Sequence, residues 1–248
     1  MSRLQTFTRK VISAYENFDF HEVFHDIYNF CIVDMSSFYL DVLKDRLYTF
    51  RSDSIQRRAA QWVLYQILST MTRLMAPILS FTAEEVWQSI RQSAKSKEHD
   101  AQTIDGSVFL TTFPEVDERY VDGELEKRWN DLFLLRNEVN KALEVKRAEK
   151  FIGNSLEAKV ILYLPDKYNA LITAYKDLLP SFFIVSAVEI TNTVIEDSYK
   201  SVEVQGLEIT VGRAAGTKCQ RCWNWSELVG TFTEAPEICE RCYKVISE

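Results

Sequence analysis

Glycine and proline are scarce in this chain, at 7 and 5 of 248 residues. That excludes collagen-like and low-complexity sequences and disfavours a loop-rich all-β fold. From Arg3 to Arg91 there is no glycine, and Pro77 is the one proline, so little in that stretch interrupts a helix. Long apolar runs are also missing. The best candidate, Ala60–Thr72, is broken by glutamines and ends at Arg73, so no transmembrane helix is expected. The start, MSRLQTFTRK, has no apolar run behind its charges, and a signal peptide is not expected. Positive charge is in deficit, with 29 Lys and Arg against 36 Asp and Glu, a net charge of −7. An acidic balance argues against coating nucleic acid by bulk charge, though it leaves room for a local basic site.

What is present is mostly helical pattern. Asp19 with Glu22 reads as a capping box, and Ile27, Phe30, Cys31, Phe38, Val42 and Leu47 recur at spacings of mostly three to five as far as Phe50, predicting one or two helices. A further helix is predicted from Ser54 to Met75, stopped or kinked by Pro77. A short one is predicted from a Thr82/Glu85 capping box to Arg91. Residues 93–123 read as a linker or insertion loop with a short strand-like piece, Val108–Phe113. A long helix follows from about Glu124 to Lys150, with Gly153 as its stop. The pattern then changes. Ala158–Leu164 and Phe182–Thr191 read as strands, Asp166–Leu179 as helix, and Val202/Val204 with Leu207/Ile209/Val211 as a hairpin around Gly206. The expected fold is mainly α: a helical bundle over 1–92, the linker 93–123, a long helix in 124–155, a small α+β subdomain in 156–213, and a zinc-ribbon-like finger in 214–248.

The last segment is too short for a core of its own, and its cysteines supply a staple. Cys219-Gln-Arg-Cys222 and Cys239-Glu-Arg-Cys242 are separated by sixteen residues, and an aromatic residue, Trp223 or Tyr243, follows each pair. Two CxxC knuckles can complete a tetrahedron of thiolates around one zinc ion. Four thiolates leave no open coordination position, so a structural ion is expected. With an odd fifth cysteine, Cys31, the pattern points to a reducing compartment, the cytoplasm, rather than to a disulfide framework. The competing reading, a redox dithiol pair, lacks its βαβ context. Cys31 itself, on an apolar helix face with no nearby base, reads as a core residue.

His21-Glu22-Val23-Phe24-His25 matches the metalloprotease pattern H-E-x-x-H. The one other histidine, His99, lies in the linker, so no third ligand is evident. A helix start with one histidine exposed and one at a helix interface is the plainer reading.

Two stretches carry a family resemblance. Tyr28–Tyr48 (YNFCIVDMSSFYLDVLKDRLY), Arg57–Gln61 (RRAAQ) and Met75–Trp87 (MAPILSFTAEEVW) resemble the anticodon-binding helical bundle of class Ia aminoacyl-tRNA synthetases. The paired Cys-x-Arg-Cys knuckles resemble the zinc finger shared by bacterial-type isoleucyl-tRNA synthetases and formamidopyrimidine-type DNA glycosylases. The isoleucyl enzymes join the two in this order, and the resemblance covers essentially all 248 residues. Neither the HIGH nor the KMSKS signature of the family's catalytic domain occurs here, nor is there room for its editing domain. The resemblance therefore implies only the C-terminal portion of such a synthetase, with Met1 either added for expression or belonging to a separately made fragment. Neither ATP binding nor isoleucine activation is expected of it alone.

The resemblance implies a ligase fragment of translation that holds the anticodon stem-loop of isoleucine tRNA, with no membrane or DNA partner and as a monomer. Splayed anticodon bases need aromatic or guanidinium planes and phosphate-binding cations. Lys44, Arg46, Arg51 and Trp223 are the expected contacts. Residues 44–58 hold five cations against two acids, although a solvated helix face would look the same. Trp223 and Trp225 alternate, so one can be buried and the other exposed. Arg221 and Arg241 can reach phosphate or pack on the fold. Two other classes remain open: a zinc-stabilised protein-interaction module, and another class Ia synthetase such as the valine or leucine enzyme. A DNA glycosylase fits poorly, because Ser2 stands where that chemistry needs a nucleophilic N-terminal amine, usually proline. Residues 94–126 carry nine acids and three bases, so most of the net negative charge sits apart from the expected RNA-binding residues.

Overall fold

The computed structural model describes residues 1–95, 106–193 and 197–247. Glu98, His99, Asp100 and Asp105 of the acidic linker lie outside the described residues. The chain forms two compact units. Met1–Leu43 with Asp53–Gly123 make the first, and Lys44–Ser52 with Glu124–Glu248 make the second.

The first unit is helical. Helix α1 (Ser2–Glu16) buries Leu4, Phe7, Val11 and Ala14, the i, i+3, i+4 stripe of an amphipathic helix. Phe7 stacks on Phe30 at 4.2 Å between centroids. These side chains share a core with Val23, Met35, Ile67 and Leu74. The run from Phe20 to Thr49 consists of α2 (Phe20–Asn29), a π-helical stretch (Phe30–Tyr39) and α3 (Leu40–Thr49). Leu40 donates its amide to the Met35 carbonyl, an i to i+5 bond, and this widened turn accommodates apolar spacings of five as well as three and four. Helix α3 begins in the first unit and ends in the second. Helix α4 (Ile55–Met75) starts at Ser54, whose hydroxyl accepts the Arg57 amide, and α5 spans Ser80–Lys95.

Three local expectations change here. Asp19 is the N-cap of α2, but its side chain makes no capping bond. Phe18 just before it is left-handed, with φ 59°, so the reversal from α1 is made by backbone. Helix α5 begins two residues before the Thr82/Glu85 box, with Ala83 donating to the Leu79 carbonyl. Val108–Leu110 is a 3-10 turn, not a strand. The Glu84 carboxylate accepts from the Ser107 hydroxyl and the Val108 amide, and Val108 is buried with Ala83, Trp87 and Ile90. The extended alternative would leave those polar groups without this partner.

In the second unit, α6 (Gly123–Ala148) buries Leu132, Leu135, Val139, Ala142 and Leu143. Its end is closed by Lys150, left-handed at φ 56°, with the Phe151 amide reaching back to the Lys146 carbonyl; Gly153 stands beyond the stop. Strand β1 (Ala158–Tyr163) leads through α7 (Asn169–Tyr175) and α8 (Leu179–Phe183) to β2 (Ala187–Thr191). Strands β3 (Tyr199–Lys200) and β4 (Glu208–Arg213) complete a sheet of order β2-β1-β4-β3. Strand β1 pairs parallel with β2 and antiparallel with β4, in the register Val160↔Val188 and Val160↔Val211.

Phe182 and Phe183 end a helix rather than begin a strand. Phe182 lies edge-on to Trp129 at 5.6 Å, and its carbonyl accepts from Arg136 Nε at 3.0 Å. The hairpin turns at Gly206, φ 84°. Its first arm is only Tyr199–Lys200, because Val202 is exposed and the Val204 amide bonds to the Ser201 hydroxyl instead of a ladder. The two cysteine pairs lie in the C-terminal segment with a two-stranded ribbon, β5 (Thr217–Lys218) and β6 (Trp225–Ser226), and α9 (Glu240–Ser247).

Candidate metal centre and nucleic-acid interface

The first knuckle is the tight connection between β5 and β6. It opens at Gly216, φ 86°, where a Cβ would lie 2.2 Å from the Ser226 carbonyl, so only glycine fits. The Cys219 amide donates to the Asn224 carbonyl at 2.8 Å, and the Trp223 amide donates to the Cys219 carbonyl at 2.9 Å. The second knuckle lies at the start of α9, with Cys239 just before the helix and Cys242 in its first turn. The Cys239 amide donates to Cys219 Sγ at 3.3 Å. This bond joins the knuckles, as does Gln220 N–H to the Glu237 carbonyl at 2.9 Å.

The four Sγ atoms lie within 4.8 Å of one another, and those of Cys222 and Cys239 are 3.6 Å apart. Tetrahedral thiolates at about 2.3 Å from one ion would be separated by about 3.8 Å, so the donor set and its spacing suit a metal ion. Cys219, Cys239 and Cys242 are buried and Cys222 is half-buried. Hydrogen bonds, first from the Cys242 thiol and also from Asn224 and Arg241, lower the Cys222 pKa. The hydrogen bond to the Cys222 sulfur, and then burial, push Cys242 up, while burial chiefly raises Cys239. Four thiols this close resist ionising together, and a bound cation removes that conflict.

Among the described residues these four cysteines are the one group of three or more His, Cys, Asp or Glu placed to hold a metal. His21 and His25 are both outside any buried interface: His21 is exposed and makes only a 3.3 Å contact from Nε2 to Glu22, and His25 is exposed beside the Phe24 ring. This corrects the expectation that one of them lies at a helix interface. Cys31 is half-buried, and burial raises its thiol pKa.

Both knuckle arginines pack on the fold. Arg241 forks onto Asp45, Nη1 to Oδ2 at 2.5 Å and Nη2 to Oδ1 at 2.8 Å, and its guanidinium lies 5.9 Å from the Phe50 ring. Arg221 Nη1 donates to the Thr49 carbonyl at 2.6 Å and to Cys242 Sγ at 3.5 Å. Burial opposes the Arg241 charge, but the Asp45 carboxylate outweighs it and raises the pKa. The finger is thereby fastened to residues 45–50, the segment that also bears Lys44, Arg46 and Arg51. Lys44 is exposed; Arg46 and Arg51 are half-buried.

Trp223 is 57% exposed and left-handed, with φ 65°. This strained conformation holds the indole out from the knuckle. Lys218 Nζ sits 5.1 Å from its ring centroid, placing a cation beside a stacking surface. Trp225 is the inward partner: its amide donates to the Ser186 hydroxyl at 2.7 Å, and its Nε1 is buried. Sequence reasoning missed Asp45 and Lys218. The closeness of Lys218 to the first knuckle was a faint signal for the latter, and nothing local marked the former.

Residues 1–162 match the family described as the anticodon-binding domain of tRNA ligase. The chain belongs to that family. Along its whole length it is also similar to isoleucine–tRNA ligases. It is 43% identical over 249 residues to that of Syntrophotalea carbinolica, covering 100% of this chain and 26% of the relative. The figures are 41% with 99% and 25% coverage for Caldicellulosiruptor saccharolyticus, and 42% with 98% and 25% for Persephonella marina. The chain thus spans about a quarter of the length of these curated relatives. No helix among the described residues is long and apolar enough to cross a membrane.

Proposed function

We propose that this chain is the anticodon-recognising, C-terminal part of an isoleucine–tRNA ligase, which as a whole charges isoleucine tRNA with isoleucine using ATP. The observation that carries this reading is the joint one: a family match over residues 1–162 continuing, without a break in similarity to isoleucine–tRNA ligases, through the four-cysteine finger. Lys44, Arg46 and Arg51 meet phosphates of the stem-loop, and the indole of Trp223 stacks on an unpaired base. The finger's ion is zinc, held by Cys219, Cys222, Cys239 and Cys242. With no open coordination position it supplies folding energy, not chemistry. Residues 1–92 and 124–155 form the helical part of the RNA-binding piece, 156–213 an α+β subdomain and 214–248 the finger. The piece acts as a monomer, in the cytoplasm.

Titrating the metal-loaded chain with the anticodon stem-loop of isoleucine tRNA tests the proposal. Saturable binding that weakens with salt and discriminates against a valine-tRNA stem-loop is expected. Absence of binding to any stem-loop, at low as well as physiological salt, would overturn it.

A further inference from the structure

The Asp45 carboxylate stands between Lys44 and Arg46, where an acid weakens any attraction to phosphate. It is engaged by the finger instead. Both its oxygens are taken by Arg241, while Oδ1 also accepts from the Thr49 hydroxyl. The Asp45 and Arg241 side chains are only 24% and 40% exposed, and the fork geometry separates this pair from the many surface ion pairs that contribute little. Four residues on, the Thr49 carbonyl lies at the C-terminal end of α3, one of the orphan acceptors of a helix terminus. Arg221 satisfies it, and the same Nη1 also reaches Cys242 Sγ. Each knuckle therefore contributes one arginine to the end of α3, and both arginines also reach a knuckle sulfur, Arg221 that of Cys242 and Arg241 that of Cys222.

We infer that Asp45, Arg241 and Arg221 form a latch that couples metal loading of the finger to the positioning of the basic residues 44–51. Asp45 is a positioning residue: it touches no RNA and acts by holding the end of α3 against the finger. Thiolates fixed on an ion hold both arginines at the spacing of one helical turn, from Asp45 to Thr49. Loss of the ion releases the knuckles, and with them the order of the segment that presents Lys44, Arg46 and Arg51. The metal thus affects RNA binding at a distance from any base it could meet itself. This inference rests on the RNA-binding reading for its consequence but not for the latch.

Asp45→Asn tests it with opposite signs. Removing an acid from a basic segment would by charge alone tighten RNA binding. A broken latch weakens it, by about fivefold, at the low end of measured couplings between sites. The expected result is weaker stem-loop binding with metal content still one per chain. Binding equal to or tighter than the unaltered chain's would overturn the latch. A second measurement needs neither RNA nor a substitution. Hydrogen exchange of the amides of residues 46–52 is followed in the full chain before and after metal removal by a chelator. Faster exchange there, beyond the finger itself, supports the coupling, and unchanged exchange in 46–52 overturns it. Should the unaltered chain bind no stem-loop, the RNA-binding proposal fails while the exchange measurement still decides the latch.

Discussion

Arg241, beside a cysteine of the four-thiol cluster, and Asp45, near the end of a helix 196 residues earlier, meet as a two-pronged pair at 2.5 and 2.8 Å. A four-cysteine finger can thus be part of a docking interface as well as a local staple. The arginine inside its knuckle is occupied in holding a helix end and is withdrawn from the pool of phosphate-binding groups. In the proposed reading, RNA contact is made by Lys44, Arg46, Arg51 and Trp223.

Cys222→Ser removes one of four donors. Metal content measured by elemental analysis should fall from one ion per chain to near zero, and limited proteolysis should then cleave within residues 214–248. Structural zinc sites of this kind supply binding energy of roughly 10–16 kcal/mol, far more than a segment of this size can replace by packing. Retention of a full equivalent of metal would show that the remaining three thiols suffice.

Trp223 separates stability from binding. Its φ of 65° is the left-handed region, which glycine adopts without strain. Trp223→Gly is therefore expected to leave the melting temperature unchanged or raise it, by up to about 1 kcal/mol of stability. The same substitution should weaken stem-loop binding by about 1–3 kcal/mol through the missing base stack. Calorimetry and a fluorescence titration read the two effects independently.

Lys44→Ala and Arg46→Ala should each weaken binding to all stem-loops alike. Each should also reduce the slope of log affinity against log salt by about 0.7 to 0.9 for every phosphate no longer neutralised. An unchanged slope would place that residue outside the interface. Discrimination between anticodons should survive both substitutions, since phosphate contacts position and base contacts specify.

Glu138 predicts a pH dependence. It is fully buried on α6, and Lys141 Nζ lies 2.6 Å from Oε1 while the Tyr199 hydroxyl donates to Oε2 at 3.2 Å. Burial alone would raise its pKa, but the hydrogen bonds from Lys141, Ser201 and Tyr199 together outweigh it and hold the carboxyl below its ordinary value. A folded-state pKa below the unfolded one gives stability that is present above the ordinary glutamate range and is lost as pH falls through the folded value. Glu138→Gln should lower stability at pH 7 by about 1–3 kcal/mol and flatten the fall between about pH 5 and 3. Denaturant melts across that interval measure both.

Much of the architecture was legible because it is local. The glycine-free stretch before Arg91 could be little else than helical, and Ser54, Pro77 and the alternation in Ala158–Tyr163 marked their boundaries. CxxC spacing marked the four cysteines as candidate ligands, since each pair suits a tight knuckle, and the tertiary structure brings the four sulfurs within 4.8 Å of one another. Reading went astray where a residue's partner is remote. Val108 became a buried 3-10 turn because Glu84 accepts its amide, and Phe182 stayed helical because Trp129 and Arg136 hold it. The Asp19/Glu22 pattern made no capping box, since Phe18 reverses the chain by backbone alone.

By itself, then, the sequence determined the helical and strand periods, the two CxxC pairs and the cation-rich stretch 44–58, all set by spacing along the chain. Only the tertiary structure decided that the two knuckle arginines are engaged within the fold. From their neighbours alone, Arg221 and Arg241 could equally meet phosphate or pack on the fold. Their commitment to Thr49 and Asp45 depends on contacts across 172 and 196 residues, and pairing at that separation leaves no period in the sequence to read.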